Sequence, residues 1–338
     1  MISGLFVGIA FGVLLQRTQF CFNSGFQNIF LQKNFHFLAA LLIAVSIQAV
    51  GFFVLAHFGL IRIPDHKVPI LATLIGGFLL GLGMVICGYC ASESWVRTGE
   101  GGVAPLLVLL AFSITMACGY SGPLRRPLGA LSEQTLQASS VQDLLKISPW
   151  ALVAVLILIT GVTVKISLSQ KQPGSAPAHR LRGAAYLLFE KKFHLFFGAV
   201  LIGFLGVLAW YLSAQTGRQF GFSVAVPSAN VMEYLVTGQD GYLNWGSLFA
   251  VGILAGSFVS ALLSGGLELK SLPANEYPKR VFGGFLMGIG AVLTGGCTVA
   301  NCLVSVAYFS IQGWLATFMI LLGCAVATKF CKPSSCQA

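Results

Sequence analysis

The chain has 338 residues, 56% of them hydrophobic and 9% charged, with a mean hydropathy of +0.85. A soluble domain carries about 25% charged residues, so this composition excludes an ordinary soluble fold and indicates a polytopic membrane protein. The net charge of +10 does not require nucleic acid, because Lys and Arg concentrated in cytoplasmic loops account for it.

Nine apolar segments follow in chain order: 2–16, 36–60, 68–87, 103–121, 148–169, 194–214, 245–267, 281–296 and 311–328. A crossing helix needs ~20 residues, so segments 2–16 and 281–296 read as helices that stop inside the protein. Met1 to Leu15 is expected to be the first membrane segment and not a cleaved leader. Nine crossings put the termini on opposite sides. Loops on the C-terminal side, with Lys165, hold 14 Lys and Arg against 6 on the N-terminal side. This bias predicts a cytoplasmic C-terminus and a periplasmic N-terminus. The strongest contributor, 170–193, reads as a basic cytoplasmic linker between a first half (1–169) and a second half (194–338) of one integral membrane domain, 1–338. Phe20 to Phe30, Ala91 to Val96 and Thr298 to Ser310 are short amphipathic pieces that read as re-entrant half-helices, tolerated at membrane depth only against protein or a watery cavity. The expected fold is all-α and polytopic, with about nine transmembrane helices, re-entrant half-helices and pseudo-symmetric inverted halves.

One stretch occurs twice. Gly76 to Cys90 reads GGFLLGLGMVICGYC and Gly283 to Cys297 reads GGFLMGIGAVLTGGC, alike at nine of fifteen positions. Each carries small-xxx-small spacing (Gly77 to Gly81, Gly284 to Gly288), which lets helices approach closely. Each then breaks at glycine and presents a cysteine. Counting crossings, the copies enter the membrane from opposite faces, an arrangement in which transporters place substrate near the midplane. A weaker echo, LFVGIAFG near residue 5 and LFAVGILAG near 248, comes out parallel on the same count.

If a helix begins after each break, its N-terminus points partial positive charge at the centre and suits an oxyanion. Ser92, Ser94, Thr298 and Asn301 add neutral donors. One Gly-Gly-Cys would be read as packing, but its duplication favours function for Cys90 and Cys297. Cys21, between Arg17 and Asn23, reaches the centre only if the chain folds back inward, and Arg17 could equally be an interfacial anchor. Cys87 and Cys90 form a C-x-x-C that admits a thiol-redox reading, although Thr294 stands at the equivalent of Cys87 in the second copy. No metal site is expected, since His36, His57, His66, His179 and His194 cluster near none of these thiols. Cys118, Cys324, Cys331 and Cys336 read as packing or tail residues. Arg97 and Glu100 read as an ordinary interfacial ion pair. Trp95, Trp150, Trp210, Trp245 and Trp314 read as an aromatic belt. The absence of a phosphate-binding loop, a nucleophile–base set and paired carboxylates excludes an ATPase and gives no enzyme signature.

The stretches RTQFCF, G-Y-C-A-S, V-R-T-G-E-G, FEKK at 189–192, QTGRQFG at 215–221, YLNWG at 242–246 and GGFLMGIGAVLTGGC resemble the YeeE/YedE sulfur-transport family over essentially the whole chain. The resemblance implies a bacterial inner-membrane protein that takes up thiosulfate along a path of three cysteines, Cys21, Cys90 and Cys297. Gly88, Ser92, Gly295, Gly296, Thr298, Asn301 and Arg17 would be supporting contacts. It implies no cofactor, and as partner a small cytoplasmic sulfurtransferase-like protein (YeeD type, related to TusA). Two departures from the family pattern, Tyr89 and Glu93, would narrow or repel an anion route and are expected to point away from it. Other expectations left open are a selenium-containing anion or sulfite as substrate, a membrane thiol oxidoreductase, and a scaffold for a sulfur-relay protein.

Overall fold

The computed structural model describes residues 1–65, 67–133, 135–136, 139–169, 194–267 and 271–330. The basic linker 170–193, its FEKK stretch, Cys331 and Cys336 lie outside the described residues. The first half contains α1 (Ile2–Thr18), α2 (Phe22–Gln32), α3 (His36–His57), α4 (Ile70–Cys87), α5 (Ala91–Gly99) and α6 (Val103–Tyr120). Two short helices, α7 (Arg125–Ala130) and α8 (Val141–Leu145), precede α9 (Pro149–Ser169). The second half contains α10 (Leu195–Ala214), α11 (Ala225–Thr237), α12 (Trp245–Ser264), α13 (Tyr277–Leu293), a π-turn over Ala300–Ser305 and α14 (Ile311–Phe330). A two-residue antiparallel pairing of β1 (Val68–Pro69) with β2 (Thr135–Leu136) ties one loop down.

Among the described residues, eight helical stretches are long and apolar enough to cross a membrane, α1–α2 forming one and α4–α5 another. The ninth expected segment is present as α13, whose 17 residues fall short, as anticipated. The expected half-helices appear as α2, α5 and the π-turn. A fourth, α11, was not anticipated, because AVPSANVMEYLVT mixes polar residues into a stretch too short for a hydropathy signal.

Helix ends follow from local chemistry. Gln19 adopts a left-handed conformation (φ 51°) that stops α1. The YLNWG stretch is a capping box: Asn244 Oδ1 accepts from the Gly246 and Ser247 amides at 2.9 and 3.2 Å, and Ser247 Oγ accepts from the Asn244 amide at 2.8 Å.

The halves exchange roles in packing. α1 lies along α12 as α10 lies along α3; α4 lies along α14 as α13 lies along α6; α2 meets α14 as α11 meets α6. The central pair is α4 with α13. Gly76 abuts Leu293 while Gly83 abuts Gly283 and Met287, so the two motif copies run antiparallel in direct contact. The sequence echo near residues 5 and 248 belongs instead to parallel neighbours: Gly8 lies against Phe249 and Gly252, and Arg17 against Ser260. α9 leans on α3, with Ser46 Oγ 2.8 Å from Thr160 Oγ1.

The core is aromatic where the half-helices meet the long ones. Phe11, on α1, stacks on Phe222 at 4.3 Å, and Phe222 on Phe249 at 5.6 Å, joining α1, α12 and the entry to α11. The aromatic-belt expectation fails for three tryptophans. Trp95, Trp210 and Trp245 are buried, Trp95 and Trp245 bonding Ser228 and Ser3, while Trp150 and Trp314 are exposed. Position at a segment end does not distinguish a lipid-facing ring from one turned into a helix junction.

Candidate functional site

The two breaks are built alike. α4 ends at Gly88 in the left-handed region (φ 85°), where a side chain would be strained, and the Gly88 amide bonds Met84 O at 3.0 Å. Two residues on, Cys90 takes extended backbone and α5 starts behind it. α13 ends at Thr294, and Gly295 (φ 69°) turns the chain so that Cys297 precedes the π-turn. Gly296 allows that turn to pack against Ala300. A π-turn widens the helix by one residue, a departure frequently found at functional sites. Thr298 Oγ1 lies 3.8 Å from Met84 Sδ, so the second break folds back against the last turn of α4.

Cys21 holds the corresponding position before α2, and its sulfur accepts the Ser24 amide at 3.3 Å. Gln19 stops α1 and α2 restarts behind Cys21, so the helical run is interrupted at this thiol. The three thiols are buried, with 6, 1 and 1% of Cys21, Cys90 and Cys297 exposed. Ser92 Oγ lies 3.3 Å from Cys90 Sγ. Beside Cys21 lies a void of about 20 Å³, room for roughly one water, walled by Gln16, Gln19, Glu93, Arg97 and Glu100 among others.

That wall corrects two expectations. Glu93 does not point away: its Oε2 accepts a hydrogen bond from the Cys21 thiol. Arg97 and Glu100 do pair, Nη1 to Oε2 at 3.0 Å, but Arg97 also reaches Glu93 Oε1 at 3.5 Å. The pair is thus part of the Cys21 wall and not an isolated surface contact. Arg97 follows Glu93 at i+4 on α5 and Glu100 follows Arg97 at i+3 as the C-cap of that helix, which places their heads together. If Glu93 repels an incoming anion, Glu93→Gln keeps an acceptor for Cys21 and removes the charge. Its expected effect is a half-saturation concentration for an anionic solute lowered about threefold, from losing ~0.7 kcal/mol of like-charge repulsion. An unchanged or raised value in vesicle uptake assays would contradict this reading.

The remaining sequence candidates divide by what they touch. Asn301 Nδ2 donates to Gly296 O at 2.9 Å and Cys297 O at 3.2 Å, so this side chain splints the second break. Arg17 does not wall the Cys21 void. Its Nε donates to Ser260 Oγ at 3.1 Å and its buried Nη1 meets no partner. Cys87 donates to Tyr89 O at 3.0 Å and is not disulfide-bonded to Cys90. Cys324 packs against Gly81 O, as a packing residue should, and Cys118 is half-buried. Among the described residues no group of three His, Cys, Asp or Glu side chains could hold a metal. Two residues at the breaks escaped the sequence reading, Gln312 and Arg280. Gln312 Nε2 donates to Thr294 O at 2.7 Å, and Arg280 Nη1 to Cys87 O at 2.9 Å. For Arg280 a signal existed, a cation three residues before the second motif copy.

The family model described as Sulphur transport matches residues 17–326. The chain is 38% identical over 329 residues to a thiosulfate transporter, TsuA, of Escherichia coli K12, covering 96% of this chain and 92% of that one. It is 28% identical to the TsuA thiosulfate transporter of Spirochaeta thermophila, over 95% and 96% of the two chains. The probable transporter YedE of E. coli K12 matches at 32% over 98 residues, 28% of this chain and 23% of that protein. With a match that takes in both breaks and Cys21, Cys90 and Cys297, the chain belongs to the sulphur transport family.

Proposed function

We propose that the protein takes up thiosulfate across the bacterial inner membrane, along a path lined by Cys21, Cys90 and Cys297. One observation carries this reading: α4 and α13 pack antiparallel in direct contact, each ends in a glycine break followed by a buried thiol at a helical start, and the chain after the second break folds back against the last turn of α4. The relatives named thiosulfate transporters, similar over nearly the full chain, support the substrate. They are named as transporters, which agrees with a protein that is not an enzyme.

Thiosulfate is a dianion with one soft sulfur and three hard oxygens. Neutral thiols are polarisable, weak donors suited to the sulfur end. Amides at the starts of α2, α5 and the helical turn after Cys297 suit the oxygens. Such contacts bind without trapping, as conduction demands. Ser92 and Thr298 add hydroxyls, while Gly88, Gly295 and Gly296 let the backbone turn close to the path. Arg17 contributes positive charge from α1. The N-terminus lies in the periplasm and the C-terminus in the cytoplasm, so α2 and α5 lead inward. A TusA-like sulfurtransferase receives the anion there. A thiol oxidoreductase is disfavoured, because the Cys87 thiol donates to main-chain carbonyls.

The test is uptake of labelled thiosulfate by vesicles containing the purified protein, competed with sulfate, sulfite and selenite. Uptake that only thiosulfate competes is expected. Vesicles that move no thiosulfate, or move selenite or sulfite in preference, overturn the assignment.

A further inference from the structure

The two breaks share a backbone but differ in charge. At the second, the terminal carbonyl of Thr294 accepts from the neutral Gln312 amide at 2.7 Å. At the first, the Cys87 carbonyl accepts from the Arg280 guanidinium at 2.9 Å. Arg280 enters from the first turns of α13, alongside Gly283, whose backbone abuts Cys87. Its guanidinium carbon sits 5.4 Å from the centre of the Tyr89 ring. Arg280 is 7% exposed, and its Nε is buried without a partner. No carboxylate lies within ion-pair distance of it among the described residues.

A buried cation without an anion is costly and is ordinarily paired. The Cys87 carbonyl is the negative end of the α4 dipole, and a cation there is favourable. One neutral amide serves the same geometric purpose at the other break, so geometry alone does not call for a charge. The surplus positive charge stands three residues from the Cys90 thiol. Tyr89 covers it with an aromatic face, which holds a guanidinium without neutralising it.

We propose that Arg280 is a positioning residue for the Cys90 end of the path. It holds the Cys87–Tyr89 turn and leaves one uncompensated positive charge there, which biases this end toward dianions over monoanions and cations. The proposal rests on the transport reading above and deepens it by assigning charge selectivity to a residue outside the three thiols.

The test compares wild-type protein with Arg280→Gln and Arg280→Lys. Cys90 is labelled with an anionic and a cationic methanethiosulfonate of similar size, and its modification is followed by mass spectrometry. Arg280→Gln is expected to lower the anionic-to-cationic rate ratio about tenfold, equivalent to ~1.4 kcal/mol. Arg280→Lys keeps the charge and is expected to hold the ratio within about twofold of wild type. Should Arg280→Gln fail to fold, Tyr89→Glu sets a carboxylate against the intact guanidinium and is expected to lower the ratio in the same sense. A ratio unchanged by the charge-removing variants, or equal slowing of both reagents, overturns the proposal, because a purely structural role moves both rates together. Labelling needs no movement of thiosulfate, so it judges Arg280 separately from the substrate assignment.

Discussion

Replacing Cys90 or Cys297 by alanine should reduce thiosulfate uptake to background, whereas Cys87→Ala should leave it within about twofold of wild type. The reason is position. Cys90 and Cys297 each follow a glycine break and precede a helical start, so on the proposed path each thiol stands beside a helix N-terminus of the kind that suits an oxyanion. Under the proposed path, removing one deletes the polarisable contact at a step the anion has to pass. A loss of even ~2 kcal/mol there slows passage about thirtyfold. Cys87 belongs to the last turn of α4 and its S–H is used on the carbonyls of Met84 and Tyr89. Cys90→Ser is the sharper comparison, since it keeps a donor but replaces a soft atom with a hard one. Its uptake should remain well below wild type. Should Cys87→Ala be as damaging as Cys90→Ala, the C-x-x-C would be acting as a redox pair and the path reading would fail.

The largest effect on stability is expected at the seam between α4 and α13. A Cβ added at Gly83 would stand 2.5 Å from the Met287 amide nitrogen and 2.7 Å from Gly283 O, both backbone atoms that no rotamer change can move. Gly83→Val therefore has to push the two helices apart. Overpacking of this kind costs about 1–3 kcal/mol where neighbours can yield, and more where they are backbone. Separation of this seam displaces both helices that end in the breaks, so the variant should lose uptake together with thermal stability in detergent. Gly129→Val is the control, because nothing lies within 4 Å of that position. Equal melting temperatures for the two variants would mean that the seam is not a close-packed element.

These two expectations rest on different kinds of information. Composition and segment length were enough to specify an all-α membrane chain, because hydrocarbon solvates no unpaired backbone and leaves helices as the available solution. The duplicated glycine–cysteine stretch was legible for the same reason: breaks at membrane depth are costly, so two alike point to a shared purpose. Counting crossings then gave the antiparallel relation that α4 and α13 adopt. Other features depend on which face of a helix meets which neighbour, and a sequence of nearly uniform hydrophobicity carries little periodicity to reveal that. Trp95, Trp210 and Trp245 sit at segment ends like belt residues, yet packing turns them inward. Glu93 reads as an obstacle, yet α5 delivers it to the Cys21 thiol from 72 residues away. Arg280 reads as one more loop cation, yet it reaches a carbonyl 193 positions back along the chain. By itself, the amino-acid order determined that there are two kinked, inverted helices and which sulfurs follow their kinks. Only the tertiary arrangement decided what faces those sulfurs, because long-range side-chain contacts are set by helix rotation and pairing, to which local hydrophobicity is blind.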